Sequence, residues 1–276
     1  MRENIEKILD TSIKSCTLIA QNSTAYIYNC DDKYIVKVSE EGWLLYHEAE
    51  MLDYLRSYSN LPVPKVIKRL ENILITEYIE NNSLGKVDAE LDAAIKLSTL
   101  HRISDEQFGF ATDTTIGIFK QPNRQNDSWV EFYKRERVLE FANKSFEEGK
   151  LPENLYLRVI TFCDDLDKFL IEPKKPSLLH GDVWSGNVLV KDGKVTSFID
   201  PAIYYGNHEI ELAFIDMFQT FEAPFFQKYA ELYPVEEGFW EERADIYKLY
   251  PYLVHARAFG KNYLPYIEKI LDKYGY

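Results

Sequence analysis

The chain has 276 residues, 46% of them hydrophobic and 28% charged, which excludes a disordered polymer and leaves room for two lobes around a substantial core. Its net charge of −13, from 32 basic and 45 acidic residues, argues against a nucleic-acid partner and against an anionic membrane surface. No run approaches about 18 apolar residues, and the charged start Met1-Arg-Glu-Asn-Ile-Glu-Lys7 lacks the apolar centre of a signal peptide. The cysteines Cys16, Cys30 and Cys163 lie far apart with no Cys-x-x-Cys pair. The expectation is free thiols in a reducing compartment, and hence a cytoplasmic protein.

Residues 2–13 place Ile5, Ile8, Leu9 and Ile13 on one helical face. Three β-rich runs follow, Ser15–Ala20, Thr24–Cys30 and Lys33–Val38, the last two joined by the turn residues Asp31-Asp32. A helix over 41–58 has Leu45, Ala49, Leu52 and Leu55 on its buried face, and Pro62 and Pro64 prevent its continuation. Strands at 65–70 and 73–78 complete a small β-rich lobe. Beyond the polar stretch Glu80-Asn-Asn-Ser83 the pattern turns helical, with helices predicted over 87–103, 127–148, 153–171, 208–221, 239–255 and 262–273. The composition shift near 80 divides an N-terminal lobe, 1–80, from a helical lobe, 81–276. Trp129, Phe132 and Tyr133 recur at i, i+3, i+4, the spacing of a core stripe.

The richest segment in chemistry is His180-Gly-Asp-Val-Trp-Ser-Gly-Asn187, followed by Phe198-Ile-Asp200. Asp182 stands five positions before Asn187, and Asp200 ends an apolar run. Asn187–Val190 and Val195–Ile199 read as two short strands around a Lys191-Asp-Gly-Lys194 hairpin turn. A base on a loop and two oxygen ligands for Mg²⁺, one of them an Asn, are what phosphoryl transfer from ATP requires. Asp182 is therefore the candidate catalytic base, and Asn187 and Asp200 the candidate metal ligands. Glu211, just inside the next helix, is placed to hold the loop backbone.

A β-rich lobe before a helical lobe that carries this loop is the layout of an α+β, protein kinase-like bilobal fold. The first lobe then supplies the nucleotide site. Lys37, ending the apolar strand Tyr34-Ile-Val-Lys-Val38, can reach ATP phosphates. Glu48 on the following helix is its expected partner, with Glu50 as the alternative. Thr76, Glu77 and Tyr78 are the expected inter-lobe hinge, where backbone groups would read adenine.

The chain resembles the fructosamine kinase (ketosamine 3-kinase) family, related to aminoglycoside phosphotransferases and choline kinases. The resemblance rests on Trp184-Ser-Gly-Asn187 joined to Asp200-Pro-Ala-Ile-Tyr-Tyr-Gly206. Phe108-Gly-Phe110, Ile116-Gly117, Gln121-Pro-Asn123, Trp129-Val-Glu-Phe-Tyr133, Arg137, His255, Phe259-Gly260 and Tyr263 are also family-like. It implies ATP- and Mg²⁺-dependent phosphorylation of the sugar 3-hydroxyl of a free or protein-bound ketosamine, a deglycation repair activity. It further implies His180, Trp184 and Tyr205 as candidate substrate-side residues, His180 more by bracing the loop than as a base. Two departures stand out. Ala20-Gln-Asn-Ser-Thr-Ala25 has no glycine, so Asn22, Ser23 and Thr24 would have to offer N–H groups to the phosphates. Gly206-Asn-His-Glu209 stands where the family often has Gly-His-Arg-Glu. Competing readings are a kinase of another alcohol, aminoglycoside- or choline-like, and a catalytically inactive pseudokinase that serves as a binding module.

Overall fold

The computed structural model describes residues 1–22, 25–82 and 87–276. Helix α1 (Arg2–Leu9) stops where Asp10 turns left-handed, earlier than the sequence pattern suggested. Strands β1 (Cys16–Gln21), β2 (Tyr26–Cys30) and β3 (Tyr34–Val38) precede helix α2 (Gly42–Tyr58), and β4 (Val66–Arg69) and β5 (Ile73–Glu77) follow it. They form one antiparallel five-stranded sheet in the order β1-β2-β3-β5-β4. Asp31 and Asp32 both take positive φ between β2 and β3, the tight-turn conformation that Asp tolerates better than most residues.

Strand alternation decides what faces the cleft. Val36 and Ile75 pack with Ile5, Ile13 and Cys30 beneath α1. The other face presents Leu74, which packs on Leu45 and Ala49 of α2. Lys37 is the register partner of Leu74, so its side chain shares the face that α2 covers. Beyond Ala49, α2 contributes Met51, Leu52 and Leu55 to the main core of the helical part, so one helix packs against both regions.

That helical part begins with α3 (Val87–Leu100), followed by a small hairpin, β6 (Thr114–Ile116) with β7 (Phe119–Gln121). A continuous helical stretch runs through α4 (Trp129–Phe132), a π-helical segment Tyr133–Leu139 and α5 (Glu140–Glu147). Next come α6 (Glu153–Asp164), β8 (Ser177–Leu179), β9 (Val188–Lys191), β10 (Lys194–Phe198), β11 (Tyr204–Gly206) and α7 (His208–Met217). Helices α8 (Ala223–Leu232), α9 (Ala244–Phe259) and α10 (Leu264–Tyr274) complete the chain. The β6–β7 hairpin and α8 had no counterpart in the sequence pattern; the strands of the hairpin, three residues each, are too short to show a period. Trp129, Phe132 and Tyr133 are fully buried, and Trp129 Nε1 donates to the Tyr247 hydroxyl at 3.0 Å. Among the described residues no helix is long and apolar enough to cross a membrane.

One sequence expectation is corrected. Cys16 and Cys30 are not free: they are register partners across β1 and β2, with Cα atoms 4.1 Å apart, and form a disulfide. Their 14-residue separation hid the pairing, which only the antiparallel register creates. Cys163 is the free cysteine, buried on α6. Alkylation of the unfolded, unreduced chain should therefore modify Cys163 alone, and all three cysteines after reduction. Labelling of three thiols before reduction would contradict the pairing.

Candidate active site

Two loops meet at the site, each the facing end of an antiparallel pair. β8 pairs with β11 and β9 with β10, so the loops 180–187 and 199–203 are drawn side by side. They are stitched at both ends: Ile199 N–H donates to the Asn187 carbonyl (3.0 Å) and Ala202 N–H to the His180 carbonyl (2.8 Å). The hairpin between them closes on Asp192 and Gly193, both with positive φ, as the Asp-Gly signal predicts. Helix α3 anchors it, Asp92 accepting from Val195 N–H at 2.8 Å.

Gly181 and Gly186 are required locally for different reasons. Gly181 has φ +87°, and a Cβ there would lie 2.1 Å from the Ala202 carbonyl oxygen. At Gly186 a Cβ would fall 2.3 Å from the Trp184 indole, so the missing side chain is the seat of that ring. The Trp-Ser-Gly-Asn spacing thus orients Trp184, which is partly exposed at the mouth of the site.

Asp182 and Asn187 fix each other. Asn187 Nδ2 donates to both the carboxylate and the backbone carbonyl of Asp182, each at 2.9 Å. With Nδ2 engaged, Oδ1 is the atom Asn187 has to offer the cleft. Burial, reinforced by the nearby Asp200 carboxylate, pushes Asp182 up to about 8. A carboxyl so poised suits proton exchange near neutral pH. Asp200 itself sits at φ +53°, a left-handed conformation that a non-glycine residue keeps only when its surroundings impose it.

Lys37 bridges the two halves of the cleft, contacting Glu48 Oε1 at 2.7 Å and the Asp200 carboxylate. Burial alone would disfavour its ammonium, but the two carboxylates outweigh burial and hold the proton. Glu48, rather than Glu50, is thus the residue beside Lys37; Glu50 lies near His47. Lys37, Glu48, Asp182, Trp184, Asn187 and Asp200 share one cavity of about 200 Å³. A more apolar slot of about 220 Å³ adjoins it, walled by Ile27, Ile35, Leu52, Leu189 and Ile199 and edged by Thr76, Glu77 and Tyr78. The N–H groups of Glu77 and Tyr78 are already spent on the Lys65 and Lys33 carbonyls, so any base in the slot must use other groups of this segment.

Three expectations change. Asn22 N–H is committed to the Ala25 carbonyl (3.1 Å), and its Oδ1 accepts from Ala25 N–H (2.7 Å), so its backbone donor closes the turn; Ser23 and Thr24 lie outside the described residues. His180 is fully buried, so its substrate-side role falls away, while its Nδ1 accepts from Asp182 N–H at 3.3 Å and braces the loop as expected. Tyr205 is buried too, its hydroxyl 3.0 Å from that of Tyr54; it ties α2 to β11 and borders neither cavity. Residues that sequence reasoning did not place at the site are Thr115 and Gly117 of the β6–β7 hairpin, and Phe218, His255, Phe259 and Tyr263 beside Asp182 and Trp184. Of these, Gly117, His255, Phe259 and Tyr263 were visible only as family-like positions.

The loop is held from below by Glu211, which accepts from Gly181 N–H and His180 N–H and pairs with His101 Nε2 at 2.7 Å. Asn207 caps α7 by accepting from Glu209 N–H (3.0 Å), and Glu209 is clamped by Arg243 through contacts of 2.7 and 2.8 Å. The unusual Asn at 207 is therefore a helix cap that also donates to Tyr247.

The sequence pattern of the fructosamine kinase family matches residues 3–275. A relative from Vibrio cholerae named as a ketoamine kinase is 29% identical, over 97% of this chain and 91% of its own length. One from Enterococcus faecium, similarly named, is 31% identical over 92% and 91%. The chloroplastic protein-ribulosamine 3-kinase of Oryza sativa subsp. japonica is 30% identical over 91% of this chain and 75% of its own. A crystal structure described as a fructosamine-3-kinase from Thermobifida fusca superposes with TM-score 0.88 at 25% identity, over 99% and 97% of the two chains. The ADP-bound aminoglycoside phosphotransferase APH(2'')-Ib, at 17% identity and TM-score 0.69 over 98% and 95%, shares the kinase-like fold.

Burial pushes the Glu211 carboxyl upward, but His101 and the loop amides outweigh it and hold the group below its ordinary value of 4.5. Its contribution to stability is then complete above that pH and lost as pH falls further. Glu211→Gln should cost about 1–3 kcal/mol at neutral pH and flatten the acid limb of a urea-midpoint profile. An unchanged acid limb would show that Glu211 is not the group that titrates. On sequence match, relatives and fold together, the chain belongs to the fructosamine kinase family, whose members phosphorylate ketosamines at the expense of ATP.

Proposed function

We propose that Asp182 accepts the proton of a ketosamine 3-hydroxyl as that oxygen attacks the γ-phosphorus of ATP and the bond to the β-phosphate oxygen breaks. The observation that carries this reading is the cavity that gathers Asp182, Asn187, Asp200 and the Lys37–Glu48 pair. ADP leaves, and the 3-phosphate is a far better leaving group than hydroxide, so the adduct can then eliminate and free the amine. Lys37 is the residue for the ATP phosphates, and the apolar slot at Thr76, Glu77 and Tyr78 the place for adenine.

The donor set also suits Mg²⁺. Among the described residues no cluster of three His, Cys, Asp or Glu side chains could cage a metal. One carboxylate and one carboxamide oxygen, Asp200 and Asn187, are the few hard ligands expected for an ion that arrives with nucleotide phosphates. When bound there, the ion would neutralise phosphate charge.

We further infer two lobes that meet near residue 80 and close over the nucleotide. Use of ATP supports a cytoplasmic setting, in which the Cys16–Cys30 pair would be open to reduction, and the net charge supports a protein without nucleic-acid or membrane partners. The aminoglycoside alternative draws on a likeness of fold alone, and the intact Lys37, Asp182, Asn187 and Asp200 disfavour a pseudokinase.

Incubation with ATP and ribuloselysine or fructoselysine should add a phosphoryl group by mass, followed by release of lysine. Asp182→Asn should retain nucleotide binding while kcat falls about a hundredfold or more. Turnover of aminoglycosides or choline with none of any ketosamine, or near-normal turnover by the variant, would overturn the assignment.

A further inference from the structure

A third cavity, of about 380 Å³, opens on Asp182 and Trp184. It shares these two residues and Gly117 with the phosphoryl-transfer cavity, but not Lys37, Glu48, Asn187 or Asp200. A molecule whose hydroxyl reaches Asp182 while phosphate occupies the Lys37 side has this space for the rest of its body.

Its chemistry differs sharply from that of its neighbour. The floor is Ile116, Gly117, Ile118 and Phe119, the β6–β7 hairpin that the sequence pattern missed. The opposite wall is Phe218, Val254, His255, Ala258, Phe259 and Tyr263, from the end of α7 and the last turns of α9 onward. Among its described lining residues Asp182 is the one carboxylate, and no Lys or Arg is present. His255 stands at the centre of an aromatic set, its ring 5.2 Å from Phe218, 5.6 Å from Phe259 and 5.1 Å from Tyr263. Its Nδ1 lies 2.7 Å from the Pro251 carbonyl, an acceptor, so Nδ1 carries the proton. Burial holds the imidazole below its ordinary range, so it adds an aromatic face and not a charge. Phe259 is 66% exposed and Trp184 41% exposed. Two large rings are thus left open to solvent at the rim of an apolar cavity, which a bound apolar group would cover.

A ketosamine consists of a sugar and the substituent on its amine. The sugar is polar on every face and needs hydrogen-bonding partners, which this aromatic chamber offers poorly. The substituent is the part that can be apolar. Resting on the ketosamine reading above, we propose that this chamber binds the amine substituent and selects adducts of arylalkyl or branched alkyl amines over those of short hydroxylated amines. A hydroxyl on a short substituent would find few hydrogen-bonding partners among these rings and would lose its water. An aryl ring would instead gain burial against Phe218, Phe259 and the β6–β7 floor.

A matched pair of fructosamines, made from 2-phenylethylamine and from ethanolamine, separates the possibilities. The phenylethyl adduct should be phosphorylated with a kcat/KM about ten- to a hundredfold higher, chiefly through KM, as expected for burying one ring. Phe259→Ala, whose exposed ring is not needed for folding, and Phe218→Ala should each shrink that ratio toward one. A wild-type ratio within about twofold of one, or a ratio that neither variant moves, would overturn the inference and leave the kinase reading standing. Phosphorylation of neither adduct, nor of ribuloselysine, would overturn the kinase reading. Calorimetric titration of both adducts then decides the chamber separately: tighter binding of the phenylethyl adduct, lost in the variants, supports it, and equal binding refutes it.

Discussion

The carboxylate of Glu211, buried on the first turn of α7, is the constraint on which the rest of the site depends. It takes hydrogen bonds from two consecutive backbone amides at the start of the 180–187 loop and from His101, just past the end of α3. A carboxylate removed from water is tolerated only when such donors surround it. Its position is set in turn by the Asn207 cap and the Glu209–Arg243 clamp on the same helix. Through these bonds the rigid helical core determines where Asp182 points, and the loop needs little order of its own.

The second loop is held by a separate set of buried polar contacts. Gln121 Nε2 donates to the Ala202 carbonyl at 3.0 Å and Thr114 Oγ1 to the Ile203 carbonyl at 3.2 Å. Tyr250 donates to Gln121 Oε1, and Arg137, with its guanidinium 3.9 Å from the Tyr204 ring centre, holds Asn123. Asp200 keeps its left-handed backbone because the residues after it are tied down on both sides. The Gln121-Pro-Asn123 and Arg137 positions thus serve the site indirectly, by fixing the backbone that carries Asp200.

Much of this was legible in the sequence, for identifiable reasons. The sheet strands and α2 showed the periods of elements with one buried face, and the Asp-Gly turn between β9 and β10 announced the hairpin that carries Asn187 toward Asp200. Lys37 and Glu48 could be placed together because strand alternation and the buried face of α2 are both periodic. What the sequence hid was long-range. The Cys16–Cys30 pair depends on strand register, the β6–β7 hairpin is too short to carry a period, and the ring of Phe218 meets that of His255 only after the helices pack. The resemblance put His180 and Tyr205 on the substrate side, His180 mainly as a brace of the loop; burial leaves His180 with that bracing role and makes Tyr205 a support.

The chemistry at the centre of the account is esterification of one particular hydroxyl. Phosphorus–proton correlation by NMR on the product of ATP and a simple alkyl fructosamine locates the new ester directly. A single correlation from phosphorus to the proton on carbon 3 is the expected result. A phosphate on another sugar carbon, or ATP consumed with no sugar ester formed, would contradict it.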